Sequence, residues 1–384
     1  MKVLIIHTRQ LCYYSGDFFL DRIQEAMEEA GVIVEKFSLC ENDDYARLEQ
    51  YQPHEFDAVL DINSKLPYLQ MDTGAFWLDW LDAPFFNIIV DHPLYHHPGL
   101  IFPLKKYYVI AIDQAHATYM REYYPHLKKV ILMPLAGTKA LTEIPFEKRK
   151  KELLFTGTYM AKDISEEEIM NCAPNIRDMM LYLRNCWNPM EEPLEDIVRR
   201  TVWKDMTETK KMSFQELMNA LYPLDRYIRN QMRYQIISDV AAAHIPLVIQ
   251  GEGWIQSPLG DDPYVTILPP QPLPLSIEQM ASYQRILDVC PGFYCGMHDR
   301  VTSAMANGCV CYTNMSREFS AQLENGKNLY YYSNGQELVE LLKQSQTDLF
   351  RVAEAGFLLY QQQYSWKEYA LKLLREIKLA QQDV

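Results

Sequence analysis

The residue types best suited to chemistry sit together in Cys290-Pro291-Gly292-Phe293-Tyr294-Cys295-Gly296-Met297-His298-Asp299-Arg300. The chain continues Val301-Thr302-Ser303-Ala304-Met305-Ala306-Asn307-Gly308, then Cys309-Val310-Cys311-Tyr312-Thr313. This pattern predicts a strand, a glycine-bearing loop, a helix, a glycine stop and a further strand. Loop glycines such as Gly292 and Gly296 let backbone approach a ligand closely. A helix start then aims free N–H groups and its positive dipole end at that ligand. His298 and Arg300 add local positive charge, and together these features suit a diphosphate. A plainer reading fits the same residues: Asp299 caps the helix and Arg300 pairs with a neighbouring carboxylate. Gly157-Thr158, at the end of another apolar run, supplies a second candidate phosphate contact through a backbone approach and a hydroxyl.

Candidate bases lie nearer the start. Asp17 follows Ser15-Gly16 and opens the first helix, where it would take a proton from an acceptor hydroxyl or serve as an ordinary helix cap. Asp91-His92-Pro93-Leu94-Tyr95-His96-His97 directly follows a buried strand, so Asp91 and His92 fall at a carboxyl edge, where function concentrates. Pro93 and Pro98 argue against the regular helix that would align His92 and His96 as metal ligands. Trp254, Tyr264 and the run Pro269 to Pro274 are expected either to wall a nucleotide base or simply to stiffen a surface connection. No GxxxxGK[ST] or GxGxxG pattern occurs in the sequence, which counts against ATP hydrolysis and dinucleotide chemistry.

The Gly296-x-His298-x-Arg300 and Ala304-x-Ala306-x-Gly308…Thr313 pattern resembles the donor-site signature of GT-B glycosyltransferases, specifically the CgeB-like group. Pro246 to Trp254, Leu154 to Thr158 and the Arg226 to Arg233 helix fit the same resemblance, which covers about 150–345 well and the first domain only by general pattern. It implies a nucleotide-sugar-dependent transferase with its donor mainly on the second domain and its acceptor on the first. Gly157, Thr158, Gly296, His298, Asp299, Arg300 and Ser303 would bind the donor. Asp17 or the Asp91-His92 pair would be the base if the enzyme inverts. Many GT-B enzymes carry a carboxylate where Ser303 stands; a serine can still hydrogen-bond a ribose. The two-glutamate pattern of retaining members is absent, and Cys295 stands eight residues before Ser303, so stereochemistry stays open. No cofactor is expected, and a helix start flanked by His298 and Arg300 would need no divalent metal. Two other readings share the architecture: a nucleotide-sugar 2-epimerase, and a carbohydrate-binding protein that has lost catalysis.

Positioning these residues requires parallel sheets. Val3 to Ile6 is a continuous apolar run, as expected of a strand covered on both faces. Val32 to Val34, Asp57 to Leu60, Phe85 to Val90, Tyr107 to Ile112 and Val130 to Met133 supply five more. Phe19, Ile23, Met27 and Ala30 recur at helical spacing, and Gly31 stops that helix. The alternation restarts at Leu153 to Gly157 and resumes at Ile245 to Gly251, Val265 to Leu268, Ile286 to Val289 and Cys309 to Thr313. Gly326-Lys327-Asn328 reads as a turn before a strand. The expected fold is α/β: two Rossmann-like, doubly wound domains of the GT-B kind, facing each other across a cleft. The first domain would span 1–137 and the second 152–347, with a helical insertion at about 164–243. Residues 348–384 would form a C-terminal helix packing back on the first domain.

Composition bounds the partners. The 384 residues carry 37 Lys and Arg against 51 Asp and Glu, a net charge of −14. So acidic a chain is poorly suited to nucleic acid, which demands clustered cations, but a local pocket can still take an anionic nucleotide-sugar. The acceptor would be a glycan, a lipid or a protein. No apolar run approaches the ~18 residues that span a bilayer, and the start lacks a signal-peptide cleavage site. The eight cysteines, Cys40 among them, contain no CxxC pair, which points to core thiols and a cytoplasmic setting.

Overall fold

The computed structural model describes residues 1–39, 45–206, 212–314, 320–344 and 348–382. Cys40, part of the helical insertion and the expected boundary at 347 lie outside the described residues. The chain divides into two compact units, Met1–Ala136 with Pro272–Pro274 and Gln362–Val384, and Gly137–Gln271 with Leu275–Gln361.

The first unit holds six parallel strands: β1 (Lys2–His7), β2 (Ile33–Ser38), β3 (Ala58–Ile62), β4 (Phe85–Ile89), β5 (Tyr107–Ala111) and β6 (Lys129–Leu132), in the order β2-β1-β3-β4-β5-β6. Val3, Leu4, Ile5 and Ile6 are all 0% exposed, which explains why the middle of β1 is apolar at consecutive rather than alternate positions. Each such side chain contributes roughly 1.5–3 kcal/mol through burial, so Ile5→Ala would cost about 2–5 kcal/mol. Edge strand β2 is exposed only at its ends, buries Phe37, and carries the half-buried Lys36. Helix α1 (Ser15–Glu29) buries Phe19, Leu20, Ile23, Ala26 and Met27, and Gly31 follows it at φ +83°. The chain leaves β1 for β2 and returns past β1 to β3, so the topological switch point lies between the carboxyl ends of β1 and β3.

The second unit repeats the plan with β7 (Lys150–Thr156), β8 (Leu247–Gln250), β9 (Val265–Leu268), β10 (Tyr283–Asp288), β11 (Val310–Thr313) and β12 (Tyr330–Tyr331), all parallel, ordered β12-β11-β10-β7-β8-β9. Its switch point lies between β7 and β10. Helices occupy most of 162–242 between β7 and β8, ending with α2 (Tyr222–Ala242). Helix α3 (Asp299–Ala306) links β10 to β11, and α4 (Leu349–Leu359) packs on α3 and β11.

The C-terminal segment departs from expectation. Instead of one helix, α4 ends in a π-helical turn at Tyr360–Tyr364, and α5 (Trp366–Gln382) follows. Ser365 Oγ accepts the Glu368 N–H at 3.3 Å, a side-chain bond that starts a new helix. Helix α5 lies in the first unit against α1, with Trp366 and Phe19 rings 6.2 Å apart.

Candidate active site

Four elements bring polar side chains to the switch point of the second sheet. Asp288 ends β10 and is 0% exposed. Its Oδ1 accepts from Arg300 Nη1 at 2.7 Å and its Oδ2 from the Thr313 hydroxyl at 2.8 Å. Arg300 Nε donates to Thr156 Oγ1 at 2.9 Å. Thr156, Asp288 and Thr313 are the last residues of β7, β10 and β11, so parallel register itself gathers them.

His298, not Asp299, caps α3. Its Nδ1 accepts the Arg300 N–H at 3.3 Å and lies 3.0 Å from Asp299 Oδ1. These contacts need different protonation states: unprotonated Nδ1 caps the helix, whereas protonated Nδ1 pairs with Asp299. Burial alone would raise the Asp299 carboxyl, but His298 and Arg300 outweigh it and hold the group below its ordinary value. The expected partnership of Arg300 with a carboxylate is present, through Asp288. Gly296 is buried in the preceding loop.

Helix α2 adds cations that the sequence reading did not place in the site. Arg233 Nη1 donates to the Thr158 carbonyl at 2.9 Å. Burial and the nearby Arg229 and Arg300 push its pKa down to about 10. Arg229 Nη1 lies 3.6 Å from Asp225 Oδ2. Asn230 donates to the Met160 carbonyl at 2.6 Å and accepts the Met160 N–H at 3.2 Å, so α2 also fixes the loop after β7. Arg226, Arg229 and Arg233 recur at helical spacing, and that one-sided row was the signal available in the sequence.

Other expected contacts receive different work. A Cβ on Gly251 would lie 2.0 Å from the Gly157 carbonyl oxygen, and one on Gly157 would lie 2.9 Å from the Phe155 ring. Glycine at these positions lets two loops meet. Trp254 walls no surface: it is 0% exposed and its indole N–H donates to the Gly157 carbonyl at 2.7 Å. Tyr264 stacks on His244 at 4.5 Å. Ser303 accepts the Thr138 N–H at 3.2 Å, and Asn307, one turn on, bonds Thr138 and Ala140, so this face of α3 clamps the segment leading into β7.

In the first unit, Asp17 lies in the first turn of α1 but does not cap it; the N-cap is Tyr14, at φ 60° and without a side-chain bond. Lys36 Nζ donates to Asp17 at 2.6 Å, and His7 Nδ1 lies 3.4 Å from it. His92 is placed inside the unit. Its ring is buried against His116 and Tyr119, and its Nδ1 accepts the Leu94 N–H at 3.0 Å, which caps a short 3-10 turn. Asp91 is half-exposed, and its Oδ2 accepts from Asn63 Nδ2 at 3.1 Å. His97 likewise turns to an aromatic neighbour, Tyr124, at 3.0 Å. Among the described residues no group of three or more His, Cys, Asp or Glu is arranged to hold a metal.

Sequence reasoning also passed over Asp61, the carboxyl near the end of β3. Burial raises its pKa to about 7, against hydrogen bonds from Ser64, Thr8 and the Ile62 N–H. Among the described residues no helix is long and apolar enough to cross a membrane.

Two doubly wound parallel sheets of six strands, each with polar groups at its switch point, constitute the GT-B glycosyltransferase fold. Solved structures share it along almost the whole chain. AviGT4, a glycosyltransferase involved in avilamycin A biosynthesis, is 9% identical with a TM-score of 0.53, over 100% of this chain and 99% of its own. Anabaena Alr3699/HepE in complex with UDP-glucose is 13% identical with a TM-score of 0.55, over 98% and 100%. T4 phage BGT in complex with its UDP-glucose substrate is 11% identical with a TM-score of 0.56, over 98% and 99%. No protein-family model matches the chain, and no curated protein matches it.

Proposed function

We propose that the protein is a glycosyltransferase that moves a sugar from a nucleoside diphosphate donor to a hydroxyl-bearing acceptor, and that it belongs to the CgeB-like group. The second unit takes the donor and the first the acceptor. The observation that carries this reading is the crowding of Arg229, Arg233 and Arg300 beside the start of α3. Arg233 is disfavoured there by burial and by its two like-charged neighbours, a cost that a bound anion relieves.

In the inverting form of the reaction, a base takes the proton from the acceptor hydroxyl. The oxygen attacks the anomeric carbon, the bond from that carbon to the diphosphate breaks, and its electron pair leaves with the diphosphate. Charge then grows beside Arg233, Arg300 and the N–H groups of α3, where fixed donors stabilise it most. Asp91 serves as base in this reading, since Asp17 is ion-paired with Lys36 and the buried His92 ring uses Nδ1 in its cap. Gly157, Thr158 and Gly296 shape the loops around the diphosphate. Cys12, Cys172, Cys186, Cys309 and Cys311 are free thiols, which supports a cytoplasmic setting.

A thermal-shift panel of UDP, GDP, TDP and CMP tests the donor assignment, because ligand binding stabilises by mass action. At least one should raise the midpoint. No shift from any of them would remove the assignment.

A further inference from the structure

The first unit contains a cavity of 440 Å³ lined by Arg9, Lys65, Tyr68 and Leu69. Arg9 follows β1 and Lys65 follows β3, so the cavity sits at the switch point of that sheet, where ligands of doubly wound folds bind. Among the described residues its lining contains two cations and no carboxylate, in a chain of net charge −14. Several other cations of this unit are matched: Lys2 with Glu35 and Glu55, Lys36 with Asp17 and Asp21, Lys106 with Asp82, Lys129 with Glu376. Among the described residues Arg9 and Lys65 form no ion pair.

Their backbones are firmly held. The Lys65 N–H donates to Thr8 Oγ1 at 2.7 Å, and the Thr8 hydroxyl donates to buried Asp61 at 2.5 Å. One short network therefore fixes the loops that carry both cations. A Cβ on Gly16 would lie 3.2 Å from the Arg9 carbonyl oxygen, so α1 packs closely behind that loop. Tyr68 adds an aromatic face near enough to Arg9 for the guanidinium to act on its hydroxyl.

We propose that Arg9 and Lys65 form an anion subsite that takes the phosphate or carboxylate group of a sugar-sized acceptor, with Tyr68 against its ring. The word acceptor rests on the glycosyl-transfer reading; the anion subsite itself does not. The cavity lies within the range of small-ligand pockets, and two unmatched cations select charge over a neutral sugar.

Calorimetric titration of the full chain with glucose 6-phosphate, glucuronate and glucose tests it. Both acids, or one of them, should bind at millimolar concentration, and glucose roughly tenfold more weakly or not at all. The tighter acid identifies the anion as phosphate or carboxylate. Arg9→Gln and Lys65→Gln should each weaken that binding roughly tenfold, with unchanged circular dichroism as the folding control. Arg233→Gln should leave it intact while weakening UDP binding. Equal binding of acid and neutral sugar, no binding of either acid, or unchanged binding in the double variant would overturn the subsite. Failure of UDP to bind, with acid binding intact, would overturn the donor reading alone.

Discussion

The Arg300 guanidinium lies 2.7 Å from Asp288, a carboxylate with no solvent exposure. A buried pair of this kind punishes removal of one partner, because the other is left charged and unsatisfied. Arg300→Ala should therefore destabilise the protein by roughly 3–5 kcal/mol. Denaturant unfolding of the two single variants and the Arg300→Ala, Asp288→Ala double variant checks this. The double variant should recover much of the loss; strictly additive losses would show that the pair is not coupled.

Arg233 behaves oppositely. Its charge is disfavoured in the folded protein, so Arg233→Gln should cost little stability without ligand, yet should weaken nucleoside diphosphate binding by roughly tenfold or more. Melting curves with and without UDP separate the two effects.

Asp61 gives stability a distinctive pH dependence. Its folded pKa, about 7, exceeds its unfolded value of 3.8. Between these values the unfolded chain loses the proton while the folded protein keeps it, so stability falls as pH rises and levels off above about 7. Asp61→Asn should flatten this slope between pH 4 and 7 and gain most over wild type above pH 7. An unchanged slope in the variant would exclude Asp61 as its source.

Gly251 tests the meeting of two loops. A Cβ placed 2.0 Å from the Gly157 carbonyl oxygen must displace backbone, so Gly251→Ala should cost roughly 3 kcal/mol in chemical denaturation. A loss within experimental error would show that the loops part easily.

Asp91→Asn should lower kcat by about 100-fold or more with little change in KM, as expected for loss of a general base. Asp17→Asn should change kcat far less. Full activity in both variants would favour a retaining reaction, which needs no such base.

Much of this fold was legible in the sequence, because parallel strands buried on both faces are continuous apolar runs; Val3 to Ile6 and Leu153 to Phe155 needed no further context. A helix after the glycine-bearing loop was equally plain, although His298 and not Asp299 caps it. What escaped was non-local. Arg233 reaches the site from a helix on the far side of β8 in the sequence, and only folding brings it beside Arg300. Trp254 looked like a surface wall because tryptophan tolerates either setting, and its buried role depends on a carbonyl 97 residues earlier. The setting of His92 was non-local too: its ring packs on His116 and Tyr119, which come from a later helix. Asp61 lies just past the apolar run Asp57 to Leu60 and was passed over, since its partner Thr8 comes from a different strand's end.

The central claim is that the switch point of the second sheet holds a diphosphate through Arg233 and its neighbours. Calorimetric titration of UDP and uridine into wild type and Arg233→Gln addresses it most directly, with GDP or TDP and its nucleoside substituted if thermal shifts select another base. The account predicts that the diphosphate binds wild type, that the nucleoside binds far more weakly, and that Arg233→Gln removes most of the difference. Equal affinity of nucleoside and diphosphate for wild type, or an unchanged difference in the variant, would contradict it.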